Sequence, residues 1–358
     1  STTTRTPREV TPRYETHPIT ARLRAAVEIG DTGYTPPKPG IAEAYAGFAR
    51  RRYGWEIDPA HVRSTGDVVM GLVEILRATI SLGDRVVITP PVYPPFYDLI
   101  PEAGGVVETV PLLADAGYTL DLAGIEAALA GGARAVLLCN PHNPTGTVHS
   151  RETLAELAEI AARHGAIVVS DEIHAPLVHA PATFTPFLSA SPVAASVGYA
   201  VASASKAFNL AGLKCALMST AADHTRRVVQ GLPKEVEWRT GHFGALAGVA
   251  AFSPESDEWL DALLAALDAN RHLLADLLAE HVPAARYAIP DAGYLAWVDL
   301  SGLGWGEDPA ERILTEARVA VHHGPTFGDE GRGFVRVNFG CSPEVLREAI
   351  ERIGELSR

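Results

Sequence analysis

Along the chain, the spacing of hydrophobic positions switches between two periods. "IAEAYAGFARRRYG" places apolar residues every three or four positions and stops at Gly54, and "DVVMGLVEILRATISLG" does so behind Asp67, a side chain suited to a helix N-cap; both predict helices. "RVVIT" (85–89), "ARAVLLC" (133–139), "AIVVS" (166–170), "YAVAS" (199–203) and "LKCALMS" (213–219) are instead short, continuous and rich in β-branched residues. Half-exposed strands would alternate, so these predict strands buried on both faces. Between them, "SRETLAELAEIAARHG" predicts a helix capped by Ser150, with Leu154, Leu157 and Ile160 on one face and Gly165 as terminator. Strands alternating with helices imply an α/β fold around a mainly parallel sheet.

After about residue 253 the pattern changes. "SPESDEWLDALLAALDANRHLLADLLAEHVP" predicts one long amphipathic helix, followed by the strand "YLAWVDL", a helix, the strand "GFVRVNFG" and a terminal helix. This predicts a smaller α+β domain, with residues 31–253 as the large domain and 1–30 plus 254–358 as the small one. "GLGWGEDP" lacks dinucleotide-binding spacing and reads as a loop.

Composition narrows the function. With 358 residues, 47% hydrophobic and 20% charged, the chain belongs to the folded class and is long enough for an enzyme. A net charge of −13 without a long basic run argues against nucleic acid, since phosphate binding needs clustered Lys and Arg. Cys139, Cys215 and Cys341 have neither disulfide-framework nor metal-site spacing. The first residues, "STTTRTPREVTPRYETHPITARL", lack the apolar core of a signal peptide, and no stretch has the length of a membrane span. The expectation is a cytoplasmic protein without membrane or metal partners.

In a doubly wound sheet, ligands bind beyond the carboxyl ends of the strands. There the chain carries Tyr93 in "PPVYPPFY", Asn143 in "NPHNPTG", Asp171 and His174 in "DEIH", and Lys206 in "SASKAFNLAGLK". An amine to form a Schiff base, a carboxylate to hold a ring nitrogen protonated and an aromatic to stack on the ring are what pyridoxal phosphate requires. Individually these residues read as an ordinary turn amide, helix cap, packing tyrosine and surface lysine; their joint placement favours the cofactor. Alternation in "FVRVNF" turns Val335, Val337 and Phe339 one way and Arg336 and Asn338 the other, so Arg336 is free either to fork onto a carboxylate or to pair with a neighbouring acid. "STGDVVMG" sets Gly66, Asp67 and Val68 at a helix start, which suits an anion, and Ser203 and Ser205 add hydroxyls beside the lysine.

"NPHNPTG", "SASKAFNLAGLK" and "FVRVNF" together resemble the fold-type I pyridoxal-phosphate enzymes, the aspartate aminotransferase-like superfamily, over residues 30–358. The resemblance implies a seven-stranded, mainly parallel sheet flanked by helices. It also implies Lys206 as the Schiff-base lysine, Asp171 as the partner of the pyridine nitrogen, Asn143 as donor to the ring hydroxyl oxygen, Tyr93 as the stacking aromatic and Arg336 as the ligand of the substrate carboxylate. Lys214 stands where many relatives keep a phosphate-binding arginine. Tyr34, in "GYTPP", resembles the tyrosine that reaches the neighbouring subunit's phosphate, implying a homodimer with shared active sites.

"SDEIHAPLV" resembles the cystathionine β-lyase-like, or C–S lyase, branch, with His174 as the marker. The implied reaction is β-elimination from cystathionine or a cysteine S-conjugate to thiol, pyruvate and ammonia. An aminotransferase shares the early steps and stays open as an alternative, as does a non-catalytic regulator of the same fold. The branch's "Trp-Val-Ala-Asp"-like segment is not recognisable between Val10 and Ile19, which leaves substrate choice and a missing N-terminal segment open.

Overall fold

The computed structural model describes residues 17–35 and 40–357. Seven strands form the large sheet: β1 (Val62–Thr65), β2 (Arg85–Ile88), β3 (Val106–Thr109), β4 (Ala135–Cys139), β5 (Ile167–Asp171), β6 (Gly198–Ala202) and β7 (Ala216–Ser219), in the order β1-β7-β6-β5-β4-β2-β3. All but β7 run parallel; β7 is antiparallel to both neighbours. Every residue of β4, β6 and β7 is buried, as their unbroken apolar runs predict. β1 and β3 escape the sequence pattern. "VRST" and "VVET" are short and half polar, and β3 is a partly exposed edge.

This topology decides where chemistry can gather. From β2 the chain moves outward to β3 and then returns to place β4 on the other side of β2, which opens a crevice beyond the β2 and β4 carboxyl ends. The reversed β7 begins at the edge where its neighbours finish, so Lys214, two residues before it, arrives at that same edge.

Helices pack on both faces of the sheet. Val68–Thr79 lies so close that a Cβ on Gly71 would meet Val201 Cγ1 at 3.0 Å, which explains a glycine inside a helix. The predicted long helix runs Asp257–His281 behind a short 3₁₀ turn. It buries Leu260, Leu267, Leu274, Leu277 and Leu278, each contributing about 1.5–3 kcal/mol.

A second, antiparallel sheet follows in the order β10-β11-β9-β8, from β8 (Arg286–Tyr287), β9 (Leu295–Asp299), β10 (His322–His323) and β11 (Phe334–Asn338). Main-chain bonds from His179 to Asp291 (2.8 Å), Gly293 to Leu177 (2.8 Å) and Asp291 to Gly146 (3.1 Å) tie the approach to β9 onto the loops beyond β4 and β5. The small sheet is thereby held against the active edge of the large one. "GLGWGEDP" forms a 3₁₀ turn at Ser301–Leu303 and then a loop, as its spacing suggests.

Candidate active site

A cavity of about 350 Å³ opens at the carboxyl edge of the large sheet, a size suited to a small ligand. Lining it are Asp67, Val68, Tyr93, Asn143, Asp171, His174, Ser205, Lys206, Lys214 and Arg336, so most of the sequence-derived candidates share one space. Six segments far apart in sequence deliver them: five follow parallel strands that end on the same edge, and the sixth brings Arg336 from the small sheet.

Asp171 is the last residue of β5 and is buried, with Oδ1 accepting from the Ile173 amide at 3.1 Å. Burial raises its pKa to about 7, against the opposing pull of that amide and of the Lys206 charge. Among the described residues no ion pair holds this carboxyl. Lys206 follows β6, the strand beside β5, and lines the same cavity.

Asn143 joins the two sheets: its Oδ1 accepts from Arg336 Nη1 at 2.9 Å, and its amide N–H donates to Cys139 Sγ at 3.3 Å. Arg336 also lies over the Phe327 ring, 4.9 Å from the centroid. Burial lowers its pKa; the nearby groups that act on it electrostatically are the hydroxyls of Tyr294 and Tyr93, and no carboxylate is among them. The guanidinium thus keeps donors for an incoming anion, and the alternative of a pairing acid finds no support among the described residues. Strand alternation holds, with Val335 and Val337 buried and Arg336 and Asn338 on the open side.

His174 is buried with Nδ1 unpartnered, and its ring meets Tyr294 edge-on at 6.0 Å. Burial first, then the Lys206 and Arg336 charges, lowers its pKa to about 3, so it is neutral at ordinary pH. Tyr93 makes an edge contact with Phe96, and its pKa is raised by burial and by Asp171.

At the anion end, Asp67 caps the helix Val68–Thr79 through the Met70 amide at 2.8 Å and pairs with Lys214 Nζ at 2.9 Å. Burial would raise the Asp67 pKa, yet the Met70 amide and the Lys214 ammonium together hold it below the usual carboxylate range. Ser205 reaches the cavity, whereas Ser203 stands behind it. The Ser203 hydroxyl donates to the Cys215 carbonyl at 2.6 Å and accepts from the Ser205 hydroxyl at 2.5 Å and the Ser205 amide at 3.1 Å. Gly66 is buried outside the lining, where a Cβ would sit 3.0 Å from the Arg239 carbonyl oxygen. Tyr34 is almost fully exposed and does not line its own chain's cavity.

Tyr294, Leu295, Asn338, Val69, Ile173, Ala211 and Cys139 also line the cavity. Asn338 was accessible to sequence reasoning, since it alternates with Arg336. Tyr294 was not: it precedes a strand of the small sheet, and only the contact between sheets brings it in.

Residues 13–353 match the family described as aminotransferase class I and II. A Mycobacterium leprae protein assigned by name as a cystathionine β-lyase is 42% identical, over 94% of this chain and 87% of its own. A cystathionine β-lyase of Bacillus subtilis is 34% identical, over 94% and 87%. Among solved structures, the pyridoxal phosphate-bound C–S lyase of Staphylococcus hominis in complex with L-cycloserine superposes with a TM-score of 0.89 at 27% identity, covering 95% of this chain and 85% of that one.

Proposed function

The chain belongs to the aminotransferase class I and II family, and from that premise we propose that it is a pyridoxal phosphate-dependent C–S lyase. Its substrates are cystathionine or cysteine S-conjugates, and its products a thiol, pyruvate and ammonia. The observation that carries this reading is the meeting of Asp171 and Lys206, from the ends of adjacent parallel strands, in one cavity. A buried carboxyl whose pKa burial has raised to about 7 fits a ring nitrogen that carries a proton. The lyase branch, rather than an aminotransferase, is favoured by the names of the curated relatives at 34–42% identity.

When bound, the cofactor supplies an aldehyde for a lysine amine and a ring that withdraws electrons from the substrate α-carbon. Lys206 would hold it and, with its amine free, would take the proton from that carbon. Asp171 would keep the ring nitrogen protonated, Tyr93 would offer an aromatic face to the ring, Asn143 a donor to its hydroxyl oxygen, and the neutral His174 would help to orient the group. The helix start at Asp67 and Val68, backed by Gly66, would hold the phosphate with Ser205 and Lys214, and Ser203 would fix the Ser205 hydroxyl. Asp67 neutralises part of the Lys214 charge, so main-chain amides carry more of this contact than in a site built on arginine. Arg336 receives the α-carboxylate. The thiolate leaves from the β-carbon with its electron pair, and water releases ammonia from the three-carbon remainder. Residues 31–253 act as the cofactor-holding unit, and residues 1–30 with 254–358 bring in Arg336. Tyr34 completes the site of a second copy, making the working unit a homodimer.

The test is direct. The purified protein is expected to absorb in the visible at roughly 420 nm, with the band lost in Lys206→Ala. Cystathionine alone, without any keto acid, is expected to yield pyruvate; turnover only with an added keto-acid acceptor would establish an aminotransferase instead.

A further inference from the structure

Phe327 lies in a 3₁₀ turn, Gly324–Phe327, and is fully buried. Its two ends touch the two halves of the active site. The ring lies under Arg336 and is itself held by Trp297 (edge-on, 5.2 Å) and His322 (edge-on, 5.2 Å), which flank Arg336 across the strands β9 and β10. The main-chain carbonyl accepts from the Val92 amide at 3.0 Å and the Tyr97 hydroxyl at 3.3 Å. Val92 immediately precedes Tyr93. Gly328 closes the turn at φ +125°, and a Cβ there would meet the Tyr97 hydroxyl at 2.8 Å and Pro90 Cβ at 2.9 Å. The turn is thus pressed onto the loop beyond β2 with no room for another residue type.

We propose that Phe327 is a positioning residue for substrate recognition: its ring sets the plane of the Arg336 guanidinium, and its carbonyl fixes that platform to the loop that carries Tyr93. This rests on the proposed role of Arg336 as the carboxylate ligand. Without the ring, the guanidinium keeps, among the described residues, the single bond to Asn143 Oδ1 and is free to rotate about it. A planar fork loses two-point binding once its plane is not held. With the ring, the carboxylate contact and the cofactor-stacking loop are set as one unit. Retention of the positive charge over an aromatic face is favoured without any counter-acid that would compete with substrate.

The test compares L-norleucine, which has no leaving group on its β-carbon, with pentylamine, which differs in lacking the carboxylate, by titrating each against the cofactor's visible band in the holoenzyme. In Phe327→Leu and Phe327→Met, binding of the amino acid is expected to weaken about 3- to 30-fold, with binding of the amine changed less than about twofold on the same scale. Phe327→Tyr, which keeps the face, is expected to retain most of the affinity for the amino acid. Equal weakening of both ligands would mean a general packing role and overturn the proposal, as would unchanged binding of the amino acid in the folded Leu or Met protein. Should wild-type protein bind neither ligand, the cofactor reading fails; should it bind both with equal affinity, the carboxylate role of Arg336 fails.

Discussion

Asp171 and Glu172 are neighbours in sequence with opposite surroundings. Asp171 lines the cavity, while Glu172 accepts from Ser170 Oγ at 3.1 Å and the Phe187 amide at 2.8 Å, both through Oε1. Its Oε2 and the Asn140 side-chain oxygen are both buried without another partner. Burial, reinforced by the Asp171 charge, raises the Glu172 pKa to about 8 despite the Phe187 and Ser170 donors, so the group is held protonated in the fold. Its folded pKa lies above the unfolded value of about 4.3; its stabilisation is therefore complete below that value and lost as pH rises towards 8. Glu172→Gln mimics the protonated acid. Its unfolding free energy, measured in urea, is expected to gain on wild type by up to about 1.4 kcal/mol per pH unit between pH 5 and 8; parallel pH curves would show that Glu172 is charged in the native state. Glu172 sits inside the "DEIH" motif, yet one of its two donors is the Phe187 amide from a later turn, and no spacing in the motif announces it.

At the scale of elements, the helix Val68–Thr79 shows how one side chain serves structure and site together. Asp67 caps it and pairs with Lys214, but Lys214 is more than half exposed, so the ion pair contributes little beside the cap. Asp67→Ala is expected to lose about 1 kcal/mol of unfolding free energy, and Asp67→Asn, which can still accept from the Met70 amide, to recover most of it. If the two variants lose equally, the ion pair rather than the cap stabilises the helix start. This helix was legible in its period and cap, as were the apolar strands β2, β4, β5, β6 and β7. β1 was not, because "VRST" is polar by composition; its burial comes from its place beside β7, with the Arg63 guanidinium taken up by the carbonyls of Val229, Leu232 and Pro233.

Across the whole molecule, burial has been imposed on three imidazoles near the site: His142, His149 and His174, with pKa values lowered to about 4, 3 and 3, mainly by desolvation. Their folded values lie below the unfolded value near 6.5, so the unfolded chain takes up protons that the fold refuses. Stability from each is complete above pH 6.5 and declines below it by up to about 1.4 kcal/mol per unit. The two raised acids act in the opposite sense over part of this range, so the informative comparison is between wild type and variant. His149→Gln, measured by urea unfolding at pH 7 and pH 5, is expected to lose less stability on acidification than wild type; an equal loss would show that His149 is protonated in the native protein. The proposed dimer has its own test. Tyr34→Phe and Lys206→Ala chains, refolded together, are expected to recover activity in mixed dimers beyond either variant alone, because one of the two sites then holds both intact residues.

Local pattern was sufficient for the α/β class, the strand-end motifs and the chemistry they suit, because hydrophobic period and capping residues act over a few positions. Strand order, the reversal of β7 and the seating of the small sheet depend on contacts beyond any local window, from the β6–β7 pairing of Ala200 with Ser219 to the bond between His179 and Asp291. Those contacts decided that Lys214 reaches the anion end paired with Asp67, that Ser203 stands behind Ser205, that Tyr294 enters the cavity, and that Phe327 lies beneath Arg336. No local rule carries such information, since a side chain's partner in the folded state is set by which surfaces the packed sheets bring together.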